Sequence, residues 1–397
     1  MSSLPLEGVR VLDLTRLLPG PMCSLHLADM GADVIKIEDP GLGDYARWMG
    51  PMKGEESGFF QALNRNKRGL SLDLKQAAGV ELFLELARDA DVVIESFRPG
   101  VVDRLGIGYD AVRAVNPGIV YCAISGYGQS GPWRERAGHD INYCATAGIL
   151  EQSGARGGPP APGNFQIADL AGGALSAAMA ISAALVGAAR RGEGRYLDVS
   201  MTDCAMAHNL LPLVAHDAEG QSRPRGGDFL SGELPCYAVY ETADGRHMAL
   251  GALEEKFWRR FCEQLGRPDL ALLYAAAGDE REAVRHELEV IFRSRSQAEW
   301  VELFADTDCC LTPVLSIGEA LVCEQISARG LYRPQPPSKG QPQTGEIAQF
   351  AFPVQMSDAE FAVRRPAPAR GQHNHELLAE LGCDAARIEQ LAADGVI

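Results

Sequence analysis

The sequence predicts an α/β protein with a large Rossmann-like parallel-sheet domain and a smaller α+β domain. Three observations carry this. Apolar runs alternate with helical patterns from residue 8 to about residue 125, the rhythm of βαβ units. Beyond residue 233 the pattern changes to a hairpin followed by helices. Two stretches, 222–233 (rich in Gly, Arg and Ser) and 331–345 (rich in Pro, Gln, Gly and Ser), read as linkers. The large domain is therefore placed at 1–221 and 346–397, and the small domain at 234–330.

The elements follow in order. Gly8 to Leu14 reads as a buried strand, and Pro21 suits the first turn of a helix that stops at Gly31. Asp33 to Glu38 is a second strand. An acid closing that strand suggests a dinucleotide site, but Leu17-Leu18-Pro19-Gly20-Pro21 lacks the Gly-x-Gly-x-x-Gly turn that admits a pyrophosphate, so NAD is set aside. Leu70 to Leu74, Asp91 to Glu95, Ile119 to Ile124 and Arg195 to Val199 complete the strands. Helices are expected at Gln76 to Arg88 and from Leu170 to Ala189. In the small domain, Cys236 to Glu241 and His247 to Leu250 form a hairpin around Ala243-Asp244-Gly245, with Asp-Gly at the turn. Helical patterns at Lys256–Leu265, Arg281–Ser294 and Gln297–Phe304 follow, and the tail from His375 is helical again.

Composition narrows the function. The 397 residues carry a net charge of −16, which disfavours nucleic acid as a partner, so any polyanionic ligand must be met by a local basic cluster. Arg65, Lys67, Arg68, Lys75, Arg98 and Arg104 fall at strand and loop ends, where a phosphate-binding rim is expected; ordinary solvated charges are the alternative. The ten cysteines form no Cys-x-x-Cys pair and no zinc spacing, as in a reduced, cytoplasmic protein with no metal site. The first ten residues show no export signal. Leu170 to Ala189 has no charge and is long enough to span a bilayer. Its Ala, Gly and Ser content favours a buried soluble helix instead, with no membrane partner.

Three residues stand out for chemistry. His139 lies in Ala137-Gly138-His139-Asp140-Ile141-Asn142-Tyr143, which opens a helical pattern. Asp169 precedes the long apolar helix, and Glu254 ends Gly251-Ala252-Leu253-Glu254. Moving a proton next to a carbonyl needs a base on one face, an acid on the other, and donors for the enolate oxygen. An imidazole suits the base, a half-buried carboxylic acid the donor, and Glu254 can orient the histidine. The first N–H groups of the helix after Asp169, near Gly172 and Gly173, are the expected enolate donors. Each residue also has a plain structural reading: a hydrogen-bonded histidine, a helix N-cap at Asp169, and a first-turn acid at Glu254.

The chain resembles the family III CoA-transferase superfamily of the CaiB/BaiF type, and within it most closely the alpha-methylacyl-CoA racemase branch. The resemblance runs nearly end to end. It rests on Leu17-Leu18-Pro19-Gly20-Pro21, Gly31-Ala32-Asp33-Val34-Ile35-Lys36-Ile37-Glu38, Asn66-Lys67-Arg68, Phe97-Arg98-Pro99-Gly100, Gly126 to Pro132, Gly138 to Tyr143, Ala243 to Arg246, Gly251 to Glu254 and Thr312 to Leu315. It implies an acyl-CoA substrate, coenzyme A entering only as part of that substrate, no prosthetic group and an interlocked homodimer with shared sites. His139, Asp169 and Glu254 take the catalytic places. Arg65, Asn66, Lys67, Arg68, Lys75, Phe97, Arg98, Arg104, Gly138, Asp140, Ile141, Asn142 and Tyr143 take the places that bind CoA. The transferases share the aspartate, where it is a nucleophile that forms an acyl anhydride. They generally lack the histidine, so His139 with Glu254 implies the racemase, whereas Asn64 to Lys75 reads more like the transferases. A CoA-binding protein without catalysis is the third reading. Many members carry Arg where Asp39 stands here, and Asp39 repels phosphate.

Overall fold

The computed structural model describes residues 4–53, 56–335 and 346–397; most of the expected second linker, 336–345, lies outside them. The chain forms two compact units. The first comprises Met1–Ala147, Asn164–His208 and Gln325–Ile397, and the second Gly148–Gly163 and Asn209–Glu324.

The first unit is built on six strands: β1 (Arg10–Asp13), β2 (Asp33–Glu38), β3 (Lys67–Ser71), β4 (Val92–Glu95), β5 (Val120–Ser125) and β6 (Arg195–Ser200). All pair in parallel in the order β3-β2-β1-β4-β5-β6. Parallel strands need crossovers, and α1 (Pro19–Asp29) and α2 (Ala77–Arg88) supply two of them. Val11, Leu12, Val34, Ile35, Val92, Val93, Ile94 and Tyr121 are buried because helices cover both faces of such a sheet. The order reverses between β1 and β4. That leaves a crevice beyond their carboxyl ends, the place where doubly wound sheets bind ligands.

The third strand begins at Lys67, three residues before the expected Leu70. Apolar periodicity located the strand by Leu70 and Leu72 and assigned Lys67 and Arg68 to a loop. Both are buried strand residues whose charges are matched inside the protein. The other five strands of this sheet fall within two residues of expectation.

Three further helices shape the site. These are α3 (Asp140–Thr146), α4 (Ser176–Arg191), which continues from π-helical turns at Ala168–Leu175, and α5 (Met201–Ala207). A Cβ on Gly172 would lie 2.6 Å from the Met201 carbonyl oxygen, so the absent side chain lets the π-helical turns lie directly on α5. Ala168–Arg191 is long and apolar enough to cross a membrane, but it packs against β5, β6 and α1. Leu175, Met179 and Val186 stay exposed along one stripe.

The second unit holds α6 (Leu210–Glu219) and an antiparallel sheet of β7 (Tyr237–Glu241), β8 (His247–Gly251) and β9 (Leu311–Pro313), in the order β9-β8-β7. The hairpin turns at Gly245, which has φ 72°. Its core packs Trp258 and Phe261 of α7 (Glu255–Leu265), Phe292 of α8 (Gly278–Phe292) and Trp300. The tail returns to the first unit as α9 (Asn374–Glu380) and α10 (Ala385–Ala393).

Candidate active site

Beneath the crevice between β1 and β4 lies a cluster of buried charges. Asp13, the last residue of β1, accepts hydrogen bonds from Thr15 N and Oγ1, from Ser24 Oγ and from Lys67 Nζ, the last at 3.2 Å. Lys36 Nζ donates to Thr15 O at 3.0 Å and to Asp44 at 2.8 Å, both side chains having no solvent contact. Burial alone would raise the Asp44 carboxyl. The Lys36 ammonium and the N–H groups of Leu17 and Ala46 outweigh it and hold the carboxyl below the usual range. The Leu17 N–H bond to Asp44, 3.0 Å, helps keep Leu17 at a φ of 67°, which a leucine adopts only when held.

This loop presents Arg16, which the sequence reading passed over. Its guanidinium lies 5.4 Å from both the Tyr45 and Phe97 ring centres. Phe97 is fixed by its own N–H bond to Glu95 Oε2, 2.7 Å. Arg98 and Arg104 are exposed on the same segment, and no ion pair holds Arg16, Arg98 or Arg104 among the described residues. Unpaired cations near aromatic faces at the ligand end of a parallel sheet, in an acidic protein, make a candidate phosphate-binding face. The signal in the sequence was a cation in the loop directly after the first strand.

The expected basic rim is corrected at Arg65, Asn66, Lys67 and Arg68. All four are buried. Arg65 pairs with Asp29, Asn66 donates to Asp29 at 2.8 Å, and Lys67 pairs with Asp13. Arg68 is held by Asp33, Glu376 and Glu380. Together with Asn66 it lines a hollow of about 500 Å³ beside Arg10 and Asp33, the first residues of β1 and β2, at the opposite end of the sheet from the crevice. Lys75 is exposed, with its N–H bonded to Asp73.

His139, exposed, precedes the first turn of α3 at extended dihedrals, φ −131° and ψ 176°. Its N–H donates to Asn142 Oδ1 at 3.1 Å. Tyr143 donates from its hydroxyl to Gly138 O at 2.5 Å and packs edge-on against Tyr127. A Cβ on Gly126 would lie 2.4 Å from the Tyr143 ring, so glycine there lets the ring sit flat on the loop after β5. Burial, with the Asp169 charge second, pushes the Tyr143 hydroxyl up to about 12. Ile141 is exposed on the same turn.

Asp140 joins α3 to Asp169. Its Oδ1 accepts the Ala168 N–H at 2.7 Å and the Asp169 N–H at 3.0 Å. Asp169 is therefore not the cap of its helix; Asp140 does that work from another element. The Asp169 carboxyl is left half-buried, and burial, with the Asp140 charge second, pushes it up to about 7. The turn begins before Asp169, not after it, and its first N–H groups are already bonded. Ala168 and Asp169 donate to Asp140, and Leu170 donates to Gln166 O.

Glu254 lies in the second unit as the N-cap residue of α7. Its carbonyl accepts the N–H groups of Phe257 and Trp258, while its exposed carboxylate makes no capping bond.

Known proteins match this arrangement over nearly the whole chain. The model of CoA-transferase family III covers residues 6–374. Human alpha-methylacyl-CoA racemase is 33% identical over 394 residues, 99% of this chain and 97% of its own. Mouse succinyl-CoA:glutarate CoA-transferase is 33% identical over 401 residues, 99% and 90%. The crystal structure of a CaiB/BaiF family protein from Brucella suis superposes with a TM-score of 0.83 at 29% identity, covering 96% of this chain and 100% of that one. The chain belongs to the family III CoA-transferases, enzymes that include both racemases and CoA-transferases.

Proposed function

We propose that the protein is a 2-methylacyl-CoA racemase or epimerase that inverts the alpha carbon by 1,1-proton transfer. The observation that carries this reading is the coupling of the His139 turn to a half-buried Asp169 through Asp140. A carboxyl pushed up to about 7 is poised to donate as well as accept near neutrality. In one direction His139 takes the alpha proton and the C–H electron pair becomes the enolate. The Asp169 acid then delivers its proton to the opposite face of the same carbon. The other epimer uses the two groups in reverse.

Arg16, Arg98 and Arg104, with Phe97 and Tyr45, are assigned to the phosphates and base of the carrier, and Lys75 to its periphery. The enzyme works as an interlocked cytoplasmic homodimer in which Glu254 of one chain orients His139 of the other. Its uncommitted carboxylate supports that role.

The CoA-transferase reading is kept because a transferase relative is as similar, at 33%, as the racemase relative. There the Asp169 carboxylate attacks the thioester carbonyl, the C–S bond breaks and CoA thiolate leaves, giving a mixed anhydride. The thiolate then attacks the Asp169 acyl carbon and releases the donor acid. The acceptor carboxylate displaces the thiolate to form a second anhydride, and the thiolate cleaves that at the acceptor carbonyl, giving the new acyl-CoA and free Asp169.

Incubation with a single epimer of a 2-methylacyl-CoA in D₂O, with no acceptor acid, separates the two. Deuterium at C2 with drift towards both epimers is the expected result. No exchange, but CoA movement once a carboxylic acid is added, overturns the racemase.

A further inference from the structure

Asp140 has a carboxylate that the proton-transfer scheme does not use, yet it is the side chain that binds the Asp169 backbone. We propose that Asp140 is a positioning residue for Asp169: it fixes the peptide that carries Asp169 and keeps a negative charge beside its carboxyl. The inference rests on the reading of Asp169 as a proton donor and acceptor.

The geometry is specific. Helix N-termini leave their first N–H groups unsatisfied, and a capping side chain normally comes from the residue just before the helix. Here Ile167, at that place, has helical dihedrals and contributes no side-chain bond. The cap comes instead from Asp140 of α3, at 2.7 Å and 3.0 Å to two successive N–H groups. Its other oxygen, Oδ2, faces the Cys144 thiol at 3.7 Å, so the carboxylate is held from both sides. A tether from α3 couples the residue after His139 to the residue that must face it across the substrate. A cap from within the helix would fold the turn equally well and provide no such coupling.

The same placement has an electrostatic consequence. Titratable and charged groups on the packed elements are Asp140, Tyr143 and Cys144 of α3, Arg190 and Arg191 of α4, Asp203 and Cys204 of α5, Arg195, Tyr196 and Asp198 of β6, and Cys23, His26 and Asp29 of α1. Besides burial, only Asp140 raises the Asp169 carboxyl. A second carboxylate beside a half-buried acid makes it keep its proton. Asp140 thus does two separable things, one through its oxygen as an acceptor and one through its charge.

The test uses the full-length enzyme and its Asp140→Asn and Asp140→Ala variants. The Asp169 carboxyl is followed by ¹³C NMR as pH is raised, and exchange of a single 2-methylacyl-CoA epimer is measured in D₂O. Asp140→Asn keeps an oxygen acceptor but removes the charge. The Asp169 midpoint is expected to fall towards the ordinary carboxylate range, and the matching limb of the pH–rate profile to move with it. Asp140→Ala removes both, and kcat is expected to fall roughly 10- to 100-fold, the cost of about an ångström of misplacement. An unmoved midpoint in Asp140→Asn, or wild-type turnover in Asp140→Ala, overturns the proposal. Should neither variant fold, the wild type still decides it. The Ala168 and Asp169 amides are expected to be protected from hydrogen exchange, and unprotected amides overturn it. The NMR and amide readouts need no turnover. A wild type inactive in exchange but with the predicted titration would therefore reject the racemase and leave the Asp140 role standing.

Discussion

The backbone N–H of Arg16 donates to Ser96 Oγ at 3.3 Å, joining the loop after β1 to the loop after β4 across the point where strand order reverses. The two loops therefore present Arg16, Phe97 and Arg98 as one surface, with the Arg16 guanidinium between two aromatic rings.

Replacing Arg16 by Ala removes a cation from that surface without touching the residues assigned to proton transfer. KM for an acyl-CoA is expected to rise about 10-fold, or about 1.4 kcal/mol, with kcat nearly unchanged. Steady-state kinetics at two salt concentrations check this, since the variant is also expected to lose part of the wild type's salt sensitivity.

The Asp169 carboxyl also affects stability. In the unfolded chain it ionises around 3.8, whereas in the folded enzyme it keeps its proton up to about 7. Below 3.8 both states are protonated and the group contributes nothing. As pH rises towards 7 the unfolded state gains the ionisation that the folded state is denied, so folding is progressively penalised. Asp169→Asn is therefore expected to be more stable than the wild type, by about 2–4 kcal/mol at pH 8, with the gain vanishing near pH 3.5. Denaturant melts of both proteins across that pH range measure it.

Lys36 compensates Asp44 and Asp13 where water cannot reach. Lys36→Met leaves two buried carboxylates short of a partner and is expected to cost about 3–5 kcal/mol. Urea unfolding checks this, and a loss below 1 kcal/mol would contradict the pairing.

If Glu254 serves the partner chain, His139→Ala and Glu254→Ala subunits refolded together form heterodimers with one intact site. Activity is expected to reappear on mixing two inactive proteins. Mixtures that stay inactive despite forming heterodimers would place Glu254 in its own chain's site or outside catalysis.

Most of the sheet was legible from the sequence because runs such as Val92-Val93-Ile94 have one physical use, burial on both faces. Lys67 and Arg68 defeated that logic. Periodicity counts charge as exposure, and their partners Asp13, Glu376 and Glu380 are remote in sequence. The same remoteness hid Asp140 as the cap of the Asp169 turn, since capping is normally sought one residue upstream. Arg16 was missed because a glycine fingerprint was the only ligand signal sought in that loop. Residue chemistry and family resemblance single out His139 and Asp169 as candidates; the tether from Asp140 to the Asp169 turn emerges only from the fold.

The salt bridge under the Arg16 loop has a practical side. Dissolved ions weaken attractions only where they can come near, and Lys36 and Asp44 have no surface to approach. If the carrier's phosphates sit on the arginines above, concentrated salt should strip them away while leaving the loop that carries Arg16 in the same shape. The enzyme would then recover its affinity on dilution without refolding.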